Sequence, residues 1–359
     1  MNEIIKEKLL AKNQKIIDMV IERIKRDYSK DIAIVGLSGS FSSNDFYEKS
    51  DLDLIIINNT DKGWEIMTCF ILDDIGYDIY CTPWETRIEV QANLDSFAVG
   101  CLLDMEILYC GDELYMKKLV ALRQRALNAL SEPIGESCLR RATKTLYAAK
   151  GAYAEMMITD DLGAVRYASK SMLTDILHSI VNMNNTYIKK GIITYMEEIA
   201  SYEYLPDEFE RMYLAVIEAS DVESIRQKSL VLLTKVDNYH KEMVKDLMPK
   251  PKPTYKNLEG TYEELWCNCR NKVLRAASMV DGNYAIHIAG GAQEFLDEMH
   301  REKGTKKYDL MSYFDSRDMI PFKNNFVDVM ADYRKEYDRV GRSVKEYESF
   351  DDLYNDFMT

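Results

Sequence analysis

Gly36-Leu37-Ser38-Gly39-Ser40, followed after ten residues by Asp51-Leu52-Asp53-Leu54-Ile55-Ile56-Ile57, is the stretch that decides how this chain folds. An apolar run, Ile32 to Val35, enters a Gly/Ser turn whose backbone is left open to close approach by a ligand. The chain then returns as a β-like run that begins with two aspartates. Side chains alternate along a strand, so Asp51 and Asp53 project the same way, ~7 Å apart at Cα. Leu52, Leu54 and Ile56 point to the opposite face, where a helix layer can bury them. Two adjacent carboxylates repel unless a cation sits between them, and hard oxygen ligands suit Mg²⁺. The Gly/Ser turn supplies backbone N–H groups and a hydroxyl, which donate to phosphate. Together these features point to nucleotide chemistry. A hairpin with two ordinary solvated aspartates would leave the charged start of so apolar a strand unexplained.

Gly39-Ser40, the ten-residue spacer and Asp51-x-Asp53 with its aliphatic continuation resemble the signature of DNA polymerase β-like nucleotidyltransferases. Within that superfamily the pattern is similar to the antibiotic adenylyltransferases that act on kanamycin, streptomycin or lincosamides. The resemblance covers residues 32 to 82 and continues more loosely through the helices that follow. It implies a Mg²⁺-dependent transferase that moves a nucleoside monophosphate from ATP, or another nucleoside triphosphate, to the hydroxyl of a small and cationic acceptor such as an aminoglycoside. Under it Asp51 and Asp53 hold the metal, Gly39 and Ser40 grip the phosphates, and Ser50 contributes beside them. The pattern also expects a third acidic residue on a neighbouring strand. Asp78 matches it, as a third metal ligand or as the general base for the acceptor hydroxyl. Glu85 and Glu89 compete for the role of base, with Asp78 preferred.

With 359 residues and 47% hydrophobic composition, the chain has ample length to bury a core. No run reaches the ~20 apolar residues of a membrane span, and the N-terminus is polar rather than signal-like. Seven cysteines without a Cys-x-x-Cys pair, and only four histidines, argue against zinc and for reduced thiols, hence a cytoplasmic protein. Cys267 and Cys269 face different ways on a helix and read as packing residues. The net charge of −14 disfavours a nucleic-acid partner, since no basic stripe offsets it. It suits a cationic small molecule, although acidity also serves solubility. The alternative to an enzyme is a nucleotidyltransferase fold used as an antitoxin or regulatory module that binds a protein partner.

The overall expectation is an α+β fold: a small mixed sheet with helices in residues 1–132, an all-helical domain in 133–248, a Pro-rich linker at 249–254 and a helical region in 255–359. Ile17, Val20, Ile21 and Ile24 mark an amphipathic helix over residues 2–28. Asn44 to Lys49 reads as a polar loop, Trp64 to Ile75 as a helix, and Gly76 to Pro83 as one strand stopped by proline. A further strand is expected at Ile107 to Cys110, with helix from Leu114 to Leu130. Asn184-x-x-Tyr187, the basic end Lys189-Lys190-Gly191 and Leu205-Pro206 resemble the helical domain of the antibiotic enzymes. Arg140, Lys144, Arg166 and Lys170 are candidate triphosphate contacts there, each otherwise an ordinary solvated helix residue. His178 lies on an apolar stripe and reads as a core histidine. Beyond the prolines at 249, 251 and 253, helices are expected over Tyr262–Val280 and Tyr284–Arg301, with Ala289-Gly290-Gly291-Ala292 leaving a smooth face for another backbone. These C-terminal helices are the candidate oligomer contact.

Overall fold

A computed structural model of the chain describes residues 3–42, 46–189, 194–279 and 281–358. Parts of the loop expected at Asn44–Lys49, together with Lys190, Gly191, Val280 and the chain ends, lie outside the described residues. The fold is α+β. The chain divides into two compact units, Met1–Met248 and Pro249–Thr359.

In the first unit the helix Glu3–Asp27 precedes six strands: β1 (Ile32–Leu37), β2 (Leu54–Asn58), β3 (Thr68–Leu72), β4 (Ile75–Ile79), β5 (Cys81–Pro83) and β6 (Glu106–Cys110). Four of them form a mixed sheet in the order β5-β2-β1-β6. β1 runs antiparallel to both β2 and β6, and β2 pairs parallel with β5. One face packs Ile17, Val20 and Ile24 of the first helix against Leu52, Leu54 and Ile56. The other packs Ile34 and Ile57 against Trp84, Leu102, Leu119 and Leu122. Burying each such aliphatic side chain contributes ~1.5–3 kcal/mol, so both faces of this small sheet are held by apolar layers.

Two expectations for residues 64–83 are corrected. Trp64–Ile75 is not a helix. A 3₁₀ turn at Asp61–Ile66 leads into β3, which pairs with β4 as a separate two-stranded hairpin. The turn between them is Asp73-Asp74, at φ of 53° and 62°. A two-residue hairpin turn needs positive φ at both positions, and Asp tolerates that better than most residues. Lys12 at 3.6 Å from Asp73 and Lys49 at 2.6 Å from Asp74 hold the turn electrostatically. Gly76–Pro83, in turn, is two strands in two sheets. The chain leaves the hairpin at Tyr80 and only then joins β2 through Ile56 opposite Cys81.

Helix Glu113–Ser131 follows β6, and the helices Glu136–Met157, Leu162–Met183, Phe209–Ile217 and Val222–Leu247 form a bundle. Its core is Leu139, Leu146, Met172, Ile176, Phe209 and Leu232 with their neighbours. Aspartates set the helix starts. Asp112, Asp161 and Asp221 each accept a backbone N–H from the first turn, from Leu114, Ala164 and Ser224. Such caps satisfy donors that a helix leaves unpaired, at ~1 kcal/mol each.

In the second unit, Thr261–Leu265 and Asn271–Ser278 are joined by a wider turn at Trp266–Arg270, and Gly282–Lys303 and Ile320–Arg339 complete the core. The Tyr337 hydroxyl accepts the Tyr262 N–H at 2.7 Å and donates to Glu263 at 2.8 Å. Cys269 is buried and Cys267 exposed, and all seven cysteines are free thiols. Ala289 and Ala292 supply the packed face of their helix, whereas added Cβ atoms on Gly290 and Gly291 would meet nothing. The expected smooth glycine surface therefore faces open space.

Candidate active site

Asp51 and Asp53 stand where the alternation along their stretch puts them. Leu52 and Leu54 are buried, and the two aspartates between and before them are exposed. They lie in the extended lead-in rather than in the strand, since β2 begins at Leu54. The ladder nevertheless reaches them, because the Ser38 N–H donates to the Asp53 carbonyl at 3.0 Å, one step beyond Leu37 opposite Leu54. Directly after that bond the chain turns at Gly39, with φ of +71°. A Cβ at residue 39 would fall 1.9 Å from Asp53 Oδ2. Glycine is required twice over, by the backbone angle and by the carboxylate that fills the side-chain space. Ser40 follows in the short helical turn Gly39–Ser42.

The Asp53 carboxyl is raised above the ordinary aspartate value, chiefly by burial and further by Asp51. Solvent still reaches part of the residue. The nearby protein atoms withdraw enough hydration for the charged form to be disfavoured. The site therefore has a cradle that a side chain would fill, and two hard oxygen donors whose mutual repulsion a divalent cation would relieve. The donor set fits Mg²⁺.

Ser50 is placed beside this pair in sequence but is occupied structurally. Its buried hydroxyl accepts the Tyr47 N–H at 3.0 Å and closes the turn that delivers Asp51. Asp78 lies on the β3–β4 hairpin, exposed between buried Tyr77 and Ile79, and accepts the Cys69 thiol at 3.2 Å. Ile56 faces Cys81 in a parallel pair, and three residues back along each chain stand Asp53 and Asp78. Among the described residues, no three His, Cys, Asp or Glu side chains form a metal-binding group, so Asp78 is not clustered with the aspartate pair. Glu89 pairs with Lys118 at 3.3 Å and Glu85 with the same lysine at 4.0 Å, while that ammonium lies 4.5 Å above the Trp84 ring.

The basic candidates of the helical bundle are dispersed. Arg140 binds Glu136 within its own helix at 2.7 Å. Lys170 is exposed on Leu162–Met183, where it acts electrostatically on Asp175, whose carboxyl is raised by burial. Arg166 is likewise exposed. Lys144 instead reaches Asp95 at 3.1 Å, tying the bundle to the sheet-bearing part of the unit. A second tie joins the Tyr187 hydroxyl to Asp104 at 3.0 Å, and burial with that carboxylate pushes the phenol up to about 12. Asn185 makes a third, accepting from Arg141 at 2.7 Å and donating to the carbonyls of Ala129 and Glu132. Asp95, Asp104 and Asn185 escaped the sequence reading, because nothing in their local pattern distinguishes them from surface residues. Asn184, adjacent to Asn185, bonds Tyr204 through both ends of its amide. His178 packs edge-on to Phe97 with ring centres 5.7 Å apart, and burial lowers its imidazole to about 4.

Among solved structures, the chain is similar to a nucleotidyltransferase-like protein from Exiguobacterium sibiricum, at 9% identity and a TM-score of 0.36, over 79% of this chain and 90% of that one. No protein-family profile matches the chain, and no curated protein matches it.

Proposed function

We propose that this chain is a Mg²⁺-dependent nucleotidyltransferase that moves a nucleoside monophosphate, AMP from ATP, onto a hydroxyl of a small cationic acceptor such as an aminoglycoside. The observation that carries the reading is the interlock of Gly39 with Asp53, which packs a ligand-accessible turn against a carboxylate pair that burial and repulsion leave short of compensation. Asp51 and Asp53 would hold the cation, which when bound supplies positive charge to the phosphate oxygens. The Gly39 backbone, bare of a side chain, and the Ser40 hydroxyl would orient the phosphates. The acceptor oxygen attacks the α-phosphorus, the bond to the bridging oxygen breaks, and pyrophosphate leaves with its electron pair. The hydroxyl proton passes to a carboxylate, for which Asp78 is the proposed base.

The net charge of −14 is compatible with a cationic acceptor, because an acidic surface concentrates positive ligands. The decisive experiment is mass spectrometry of candidate acceptors after incubation with ATP and Mg²⁺. Adenylylation by wild type that is lost in Asp51→Asn and Asp53→Asn carries the reading. Turnover that survives both substitutions would sink it.

A further inference from the structure

The two faces of the β3–β4 hairpin are unlike. On the inner face Phe70 stacks on Tyr77 with ring centres 5.3 Å apart, and the Tyr77 hydroxyl donates to Asn13 of the first helix at 3.1 Å. Ile75 and Ile79 join the same core. An isolated two-stranded hairpin is marginal in water, so this face is what holds the element. On the outer face Cys69 stands opposite Asp78 and Ile71 opposite Gly76, and all four residues are exposed. Ile71 is 80% exposed, and a Cβ added at Gly76 would meet nothing.

Asp78 is held on this outer face by its cross-strand neighbour. Its Oδ1 accepts the Cys69 thiol at 3.2 Å, and among the described residues its Oδ2 has no side-chain partner. A thiol is a weak donor, but it fixes one carboxylate oxygen and leaves the other for a proton. The next pair on the same face lies ~7 Å along the strands, with ~5 Å between the strands. Beside Asp78 there is thus a bare backbone at Gly76, walled on the far strand by the aliphatic side chain of Ile71. A floor of that size takes one six-membered ring, and is far below the ~800 Å² per partner of a stable protein interface.

We infer that the outer face of this hairpin is the acceptor platform, an inference that rests on the reading of Asp78 as the base. Cys69 is its positioning residue, and Gly76 and Ile71 are its specificity residues. The acceptor class that fits is a saturated ring whose C–H face borders the reacting hydroxyl, as in a sugar ring. The C–H face lies on Gly76 and against Ile71, where burial of apolar surface contributes binding. The hydroxyl oxygen forms its bond to the α-phosphorus, and its proton passes to Asp78 Oδ2. Cys69 touches neither reactant and acts through the carboxylate that it orients.

Steady-state kinetics of the full chain with ATP, Mg²⁺ and kanamycin tests this, with circular dichroism checking that each variant is folded. Gly76→Val adds a side chain for which the hairpin has room, on a strand that suits a β-branched residue. It should raise the KM for kanamycin ~10-fold or more and leave the KM for ATP unchanged. Cys69→Ala should lower kcat ~10-fold with the KM for ATP unchanged, as a small misplacement of the base does. Cys69→Ser, which keeps a donor, should recover most of that loss. A merely structural role for these residues would not separate KM from kcat in this way. Wild-type kinetics in either Gly76→Val or Cys69→Ala, with Asp78→Asn slowed, overturns the inference and leaves the proposed function standing. Full activity in Asp78→Asn, or a wild type that leaves kanamycin unmodified, overturns the inference together with the reading on which it rests.

Discussion

Asp53 occupies the side-chain space of residue 39: its Oδ2 lies 1.9 Å from where a Cβ on Gly39 would stand. Two segments ten residues apart in sequence are thus fitted as one object, and the fit forces an outcome on substitution. Gly39→Ala must both hold an L-residue at φ of +71° and push the carboxylate aside. The left-handed angle alone costs ~1–2 kcal/mol. The variant should melt several degrees lower and lose Mg²⁺-dependent transfer. A Gly39→Ala protein with wild-type turnover would show that the Asp53 position is not needed for chemistry.

Asp53 gives a pH prediction with a definite sign. Burial and Asp51 raise its carboxyl, so the folded protein binds that proton more tightly than the unfolded chain does. The stabilisation is present at low pH and is lost as pH rises through the folded value, which lies above the usual ~3.9. In metal-free buffer, Asp53→Asn should therefore be as stable as wild type or more so at neutral pH, and the difference should shrink on acidification. Thermal melts should also show Mg²⁺ stabilising wild type but not the variant. Equal Mg²⁺ shifts in both proteins would remove Asp53 from the metal site.

The base is tested by comparing Asp78→Asn with Glu89→Gln. Among the described residues Asp78 engages only the Cys69 thiol as a side-chain partner, whereas Glu89 is paired with Lys118 at 3.3 Å. Asp78→Asn should lower kcat by ~10²–10⁴-fold, with nucleotide affinity nearly unchanged. Steady-state kinetics showing full activity in Asp78→Asn and a dead Glu89→Gln would transfer the role to Glu89.

His178 predicts an acid-labile bundle. Its imidazole, lowered to about 4 by burial against Phe97, must be protonated at a cost once the pH falls below its unfolded value of ~6.5. Stability contributed by the neutral ring is present above that value and declines on the way down to about 4, by on the order of 3 kcal/mol in total. Urea melts of wild type should show this slope between those values, and His178→Gln should flatten it. An unchanged slope in the variant would place the acid sensitivity elsewhere.

What the sequence determined by itself was local and periodic. Alternation from Leu52 to Ile56 dictated which face the aspartates take, because a strand reverses its side chains at every residue. A period of 3.6 residues marked the first helix through Ile17, Val20 and Ile24. Strand partnership and charge pairing were left to tertiary structure. Residues 68–72 pair with 75–79 only because positive φ at Asp73 and Asp74 turns the chain into a hairpin that carries Asp78, and the chain leaves that hairpin at Tyr80 for the sheet strand β5. Lys144 and Tyr187 find Asp95 and Asp104 49 and 83 residues away. A carboxylate's partner at such separation is set by how helices pack on the sheet, and a one-dimensional pattern holds no record of that. Gly39 belongs to both accounts: its place in the turn is written in the sequence, but that Asp53 fills the room it leaves is decided by the β1–β2 register.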